Sequence, residues 1–449
     1  MTELGAASMQ AVGVTDFAMR VLLVSPQRAI FAVLQTGLEA QGCDTLWAAD
    51  IEQAVMALET RAYDAIIVDT DDADIVAGLA RLRTVLPDRY LPVMAVGAEC
   101  DTEVDLRMRD VPHPAQALVR LEHLVRAAVA EEEFNLRCQT FAQHGANLHK
   151  VVHDRQPISV LAIGAADERF LALSNSLREA GVDVVAAPTP YTAFDYLHER
   201  AFDAAILWGG ENRAVAMSIA SGMKRNTRLY HIPLVLYLRD GDEVNLTDLY
   251  VRGFADVVAT SVSEIETAER VQALASNYRR RQAIRRALDS VRVSQLTDSV
   301  TGLFHREPFA SHLGRVFAST KRRKRTLSLC VLRVRKNDML ATINRGGWLD
   351  MALPQVGAMI SRLVRVEDTA ASLGTDSFAV MMPATDKTAA VQAAERIAAV
   401  IACTAFEAGQ DHSPFIIEFD IGVAEMVEGE SPIQLLERAV EDARQKVVA

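Results

Sequence analysis

Short, nearly unbroken apolar runs alternate with amphipathic stretches over the first 270 residues. Arg20-Val-Leu-Leu-Val24 reads as a strand, followed by an amphipathic helix over 28–39, a strand over 44–48 and a helix over 51–60. Tyr63-Asp-Ala-Ile-Ile-Val-Asp69 is a third strand, ending in a carboxylate. Pro92–Val96 is a fourth, and a helix over 114–130 closes the unit. Strands this apolar, spaced by helices, predict a parallel sheet covered on both faces. The same order then returns at 158–163, 181–186, 202–208 and 232–237. Tyr63-Asp64-Ala65-Ile66-Ile67 aligns without a gap on Phe202-Asp203-Ala204-Ala205-Ile206, and Leu91-Pro92-Val93 aligns on Ile232-Pro233-Leu234. This is an internal duplication of about 135 residues.

Beyond it, an Arg-rich helix over 265–295 carries Val271, Leu274, Tyr278, Ile284, Leu288 and Val291 at roughly helical spacing. Strands then fall at Leu327–Val334, Thr369–Leu373, Phe378–Met382 and Phe415–Val423, with helices over 307–319, 351–365, 386–403 and 432–446. The mixture of hairpin and strand–helix patterns predicts a mixed α/β sheet.

Composition narrows the classes. Half of the residues are hydrophobic and 24% are charged, with only 23 Gly and 14 Pro, which excludes a disordered or collagen-like chain. The net charge of −12 argues against a nucleic-acid surface, which needs clustered cations. The one dense basic run, Lys321–Arg325, is expected to be a solvated loop. No apolar run reaches the length of a membrane helix. Met1–Gln10 lacks the basic and apolar segments of a signal peptide, and residues 1–18 read as a disordered leader. Cys43, Cys100, Cys138, Cys330 and Cys403 are scattered, with no CxxC, which fits small core residues in a reducing cytoplasm.

The strand ending in Asp69 resembles the third strand of response-regulator receiver domains, and the resemblance makes Asp69 a possible phosphoacceptor. The family's acidic Mg²⁺-binding pair corresponds here to Ser25 and Pro26, its Thr or Ser after strand four to Gly97, and its Lys before Pro to His113. Few hard oxygen ligands remain for a cation. In the second repeat Trp208 stands in the acceptor position, and Gly164 and Ala165 replace the acidic pair. A Trp cannot accept a phosphoryl group, so this repeat is expected to be a degenerate, non-phosphorylatable adaptor.

Asp298-Ser-Val-Thr-Gly-Leu-Phe-His-Arg306, Gly374-Thr375-Asp376-Ser377-Phe378 and Phe419-Asp-Ile-Gly-Val-Ala424 resemble, in order, three motifs of the GGDEF family of diguanylate cyclases. That family joins two GTP molecules into cyclic di-GMP with two divalent metals. The resemblance makes Arg333, Gly374, Thr375, Asp376 and Ser377 degenerate active-site positions. Thr375 replaces the second Gly, Ser377 replaces a metal-binding Glu, and Arg333 replaces the Asp that ends the first strand. No metal, cofactor or catalytic residue is therefore expected, and the chain is not expected to be an enzyme. Asn344 and Asp350 correspond to a base-recognition pair, and Lys446 to a Lys of the last helix. Arg365-Val366-Glu367-Asp368 has the RxxD spacing of the family's product site, and Arg396, within Ala394-Glu395-Arg396-Ile397, matches a further product-site Arg. Chemically, Arg offers a planar donor fork to guanine or phosphate, and Asp accepts from guanine N–H groups.

The expected fold class is α/β: two tandem receiver-like (βα)5 doubly wound domains, over 19–140 and 155–275, a connecting helix over 276–297, and a GGDEF domain over 298–449. Receiver–receiver–GGDEF is the arrangement of PleD-type proteins. That resemblance implies a cyclic di-GMP effector that self-associates, sits at a cell pole and helps deliver a cell-cycle regulator to the ClpXP protease. The alternatives are a phosphorylation-driven scaffold without nucleotide binding, or a residual cyclase.

Overall fold

A computed structural model describes residues 19–84, 90–98, 102, 104–146, 148, 156–208, 213–226, 228–239, 244–290, 296–336, 346–408 and 413–445. The expected leader, Asn344 and Lys446 lie outside these residues. The chain divides into two compact units, Met1–Ala128 with Asp154–Arg280, and Val129–His153 with Arg281–Ala449. No helix among the described residues is long and apolar enough to cross a membrane.

The first unit holds two five-stranded sheets. One comprises β1 (Arg20–Val24), β2 (Asp44–Ala48), β3 (Ala65–Asp69), β4 (Val93–Val96) and β5 (Leu106–Met108), in the order β2-β1-β3-β4-β5. The other comprises β6 (Ile158–Ile163), β7 (Val182–Ala187), β8 (Ala204–Trp208), β9 (Leu234–Tyr237) and β10 (Asp256–Val258), in the same order read from its other edge, β10-β9-β8-β6-β7. Every pairing in both sheets is parallel. This order places the carboxyl ends of β1 and β3 at the switch point where such sheets carry their chemistry. The duplication read from the sequence is thus a duplication of topology.

The helix Pro114–Gln143 follows β5 and meets the second sheet through a buried polar cluster. Asp256 on β10 is fully buried and takes a bidentate pair from Arg270, at 2.6 and 2.9 Å, with Gln116 Nε2 donating at 2.8 Å. Arg120 adds a second guanidinium at 3.4 Å. These cations, led by Arg270, outweigh the burial that would raise the Asp256 carboxyl and hold it below the ordinary range.

The helix was expected to close at 130 but runs to Gln143. No Gly or Pro interrupts it before Gly145, and its second half buries Glu133, Phe134, Arg137 and Phe141 in the second unit. The Arg-rich helix likewise spans Glu264–Ser290.

The second unit is built on an antiparallel sheet of β11 (Leu327–Val334), β12 (Thr369–Ser372), β13 (Ser377–Pro383) and β14 (Phe419–Glu425), in the order β12-β13-β11-β14. β11 shows why both faces are covered. Leu327, Leu329 and Val331 pack on helices Arg306–Arg323 and Pro432–Gln445, whereas Cys330, Leu332 and Val334 pack on helices Trp348–Leu363 and Lys387–Ala402. β14 was expected from Phe415. Phe415 instead bridges Phe406, and the ladder with β11 begins at Phe419 opposite Val334.

The basic run is not a solvated loop. Lys321–Arg323 form the last turn of Arg306–Arg323, Lys324 caps it in the left-handed region at φ 50°, and Arg325 is buried. Arg323 and Arg325 both pair with Glu132, the latter at 2.7 Å. Cys43 and Cys330 are buried as expected, but Cys138 is half-buried and Cys403 exposed.

The Asp298–Gly302 segment is a tight loop. Asp298 Oδ1 accepts from the Val300 and Thr301 N–H groups and the Thr301 hydroxyl, and Gly302 turns the chain at φ +73°. Thr301 seats against Gly357 on helix Trp348–Leu363, where an added Cβ would lie 2.2 Å from the Thr301 carbonyl oxygen. Gly357→Ala is therefore expected to cost about 1–3 kcal/mol by overpacking, measurable by denaturant unfolding.

Candidate functional site

Helix Trp348–Leu363 ends at Val364, and Arg365–Asp368 turn the chain into β12. The Arg365 N–H donates to Asp368 Oδ2 at 3.0 Å, and the Asp368 N–H returns to the Arg365 carbonyl at 3.2 Å. The turn fixes Arg365 and Asp368 on one side. Asp368 is buried and Arg365 half-buried.

Two arginines outside the turn hold it. Arg137 Nη2 donates to the Asp368 carbonyl and Arg285 Nη2 to the Val364 carbonyl, each at 2.7 Å. Arg137, Arg285, Arg365 and Asp368 line one cleft of about 100 Å³. This is well below the roughly 300–1,000 Å³ of pockets that enclose drug-sized ligands.

Behind the turn sits a buried network on Glu133. Its Oε1 is 2.6 Å from His312 Nε2, accepts from the Thr369 hydroxyl at 2.9 Å and from Arg137 Nε at 3.2 Å. Thr140 Oγ1 lies 3.0 Å from His312 Nδ1. Burial alone would raise the Glu133 carboxyl. His312, Arg137 and Thr369 together overcome that and hold it at about 2.

Arg396 does not line this cleft. It is exposed on helix Lys387–Ala402. Of the residues named from sequence, Arg365 and Asp368 line the cleft and Arg396 does not, while Glu133, Arg137, Arg285 and His312 were not named. Glu133 and Arg137 lie on a helix that pattern had closed at 130, and their partners lie far along the chain.

The positions that the family resemblance marks as active-site residues gather at the opposite strand ends. Arg333 stands in register with Ser377 on β13 and Asp420 on β14. Thr375 and Gly374 are exposed at the hairpin tip. Asp376 lies 3.5 Å from Lys336 Nζ, and its Oδ1 accepts from the Ser377 hydroxyl at 2.9 Å. Asp420 is paired with Arg335 at 2.9 Å. Among the described residues, Asp376 and Asp420 each face a cation at this end. Among the described residues no group of three or more His, Cys, Asp or Glu side chains could hold a metal ion. Asp350 is exposed in the first turn of Trp348–Leu363.

In the first unit Asp69 is buried at the carboxyl end of β3. Its Oδ2 accepts from the Ser25 hydroxyl at 2.8 Å, and its Oδ1 from the Asp71 N–H at 3.1 Å. His113 is exposed, and its Nδ1 accepts from the Ala115 N–H at 3.2 Å. In the second sheet Trp208 fills the corresponding place. It stacks on Tyr237 with ring centroids 4.1 Å apart, meets Phe170 edge-on, and donates from Nε1 to Asp167 at 3.0 Å. Gly164, at φ +136°, leaves room for it, since a Cβ there would lie 2.7 Å from the Trp208 Cβ.

Residues 295–446 match the family model described as "Diguanylate cyclase, GGDEF domain". A search of curated proteins gave no match. Similar solved structures include the GGDEF domain of FimX from Pseudomonas aeruginosa, at 20% identity and TM-score 0.31, covering 34% of this chain and 94% of that one. The GGDEF domain of DgcB from Caulobacter crescentus, solved in complex with c-di-GMP, is 24% identical with TM-score 0.31, covering 34% of this chain and 86% of that one. Residues 295–446 of this chain are a GGDEF domain.

Proposed function

We propose that this chain is a cyclic di-GMP effector that does not make cyclic di-GMP. The observation that carries the reading is a contrast within one domain. The Arg365–Asp368 turn is braced by Arg137 and Arg285 and lines a cleft, while the strand ends where the family is expected to hold its metals carry Arg333 and Ser377. Arg365 supplies the fork for guanine or phosphate and Asp368 the acceptor. Arg396 is the further contact, reaching a ligand that extends beyond the cleft. The structure of DgcB with c-di-GMP gives a relative that holds this ligand.

Residues 19–140 and 155–275 act as receiver-like docking and self-association domains, with 276–297 as the connecting helix. Trp208 removes phosphoryl chemistry from the second of them. Ligand binding acts by favouring one packing of the chain over another. The PleD-type arrangement supports a cytoplasmic protein recruited to a cell pole that delivers a regulator for ClpXP proteolysis. A second reading, a scaffold driven by phosphorylation, rests on Asp69 at the carboxyl end of β3. Full-length protein incubated with GTP and Mg²⁺ is expected to yield no cyclic di-GMP while binding added cyclic di-GMP. Product formation would place it among active cyclases, and labelling of Asp69 by a phosphodonor without nucleotide affinity would favour the scaffold.

A further inference from the structure

We propose that the Asp71 carboxylate is a built-in occupant of the place that a phosphoryl group on Asp69 would take, so that the first sheet is held in one arrangement without modification. The inference stands apart from the cyclic di-GMP reading. Asp69 ends β3 at the switch point of that sheet and is 3% exposed. Both of its oxygens are engaged, Oδ2 by the Ser25 hydroxyl at 2.8 Å and Oδ1 by the Asp71 N–H at 3.1 Å. With Ser25 fully buried beside it, a group joined to either oxygen must emerge at the strand ends.

Those strand ends are already closed. Asp71, exposed at the end of the sheet, folds across so that its Oδ1 accepts from the Ala98 N–H at 2.8 Å, just past the end of β4. Gly97 makes the room. It lies at φ +118°, and a Cβ added there would come within 2.8 Å of Asp71 Oδ1 and 3.0 Å of the Asp71 nitrogen. A side chain at 97 would therefore displace the carboxylate. Between the two aspartates, Thr70 clamps the same segment, with its N–H on the Val96 carbonyl and its hydroxyl on the Ala98 carbonyl, each at 2.8 Å.

The chemistry of the occupant matches the place. A phosphoryl group would bring negative charge and acceptor oxygens to these backbone N–H groups. Asp71 brings a negative charge and an acceptor to the Ala98 N–H with no covalent step, and its charge repels a second anion on Asp69. The second sheet repeats the arrangement with a different filler. Trp208 occupies the corresponding strand end, and Gly164, at φ +136°, leaves the room. In each sheet a glycine at positive φ sits against a side chain of the chain's own that closes the switch point. The arrangement of the first sheet is then set when the chain folds, and a phosphodonor adds nothing to it.

The test is amide hydrogen exchange and peptide mass analysis of the full chain, with and without acetyl phosphate and Mg²⁺. Wild type should gain no phosphoryl group on Asp69, and exchange over 69–71 and 96–98 should be the same in both conditions. Asp71→Ala should speed exchange of the Ala98 amide by about tenfold or more, because a charge-assisted hydrogen bond is lost. Asp71→Asn, which keeps an acceptor oxygen but not the charge, should lose less. Asp74→Asn, an exposed neighbour, should stay within about twofold of wild type. A phosphoryl group on Asp69 of the wild type, a change over 96–98 on adding the phosphodonor, or an Ala98 amide that exchanges in Asp71→Ala as it does in wild type would each overturn the inference. None of these outcomes touches the Arg365–Asp368 cleft, so the two readings fail separately. Melting curves of each variant separate a lost contact from a lost fold.

Discussion

Replacing Arg365 by Ala is expected to weaken cyclic di-GMP binding by about 100-fold or more, because truncating one partner of a desolvated charge pair costs several kcal/mol. The fold should survive. Arg365 is half-buried, and the turn is closed by its backbone N–H on Asp368 and by Arg137 on the Asp368 carbonyl, neither of which needs the Arg365 side chain. Asp368→Ala should lose both ligand and turn, since its Oδ2 accepts the Arg365 N–H. Titration calorimetry with melting curves separates the two. Arg365→Ala should change affinity with little change in melting, whereas Asp368→Ala should change both.

Glu133→Ala is expected to destabilise the second unit by about 3–5 kcal/mol, because it leaves the buried Arg137 and His312 facing an absent carboxylate. Native-state hydrogen exchange of the β11 and β13 amides would measure it for this unit by itself. The same carboxylate makes the unit acid-sensitive. Its ordinary value is 4.5 and its folded value about 2. Its contribution is therefore complete above pH 4.5, and it falls as pH drops from there through the folded value. At 1.36 kcal/mol per unit the loss is about 3 kcal/mol. Glu133→Gln should flatten that acid limb. An unchanged limb would mean that another carboxylate governs it.

The parts of this molecule written locally were legible in the chain. Four apolar strands with helical spacers, twice over, pointed to the parallel sheets, while the three-residue strands Leu106–Met108 and Asp256–Val258 are too short to leave an apolar run. The Gly374–Phe378 hairpin and the Arg365–Asp368 turn, both read from the chain, lie at opposite ends of β12 and β13. Trp208 announced a closed acceptor position, and Gly164 beside it could have been read as the room that the ring needs. What failed was long-range. Glu132 and Glu133 look like the solvated face of an ordinary helix until Arg323, Arg325 and His312 arrive from nearly 200 residues away. Charge complementarity at that separation leaves no periodic trace. The basic run misled for the same reason, since five cations in sequence look solvated when their carboxylate lies elsewhere. One signal was available. No Gly or Pro falls between Pro114 and Gly145, and that stretch argued for a longer helix.

The most direct measurement of the central claim is calorimetric titration of the folded, full-length wild-type chain with cyclic di-GMP, in the absence of added metal. The proposed effector reading predicts saturable binding near or below micromolar, with no need for Mg²⁺. No heat from folded protein, or binding that appears only when Mg²⁺ is supplied, would contradict it.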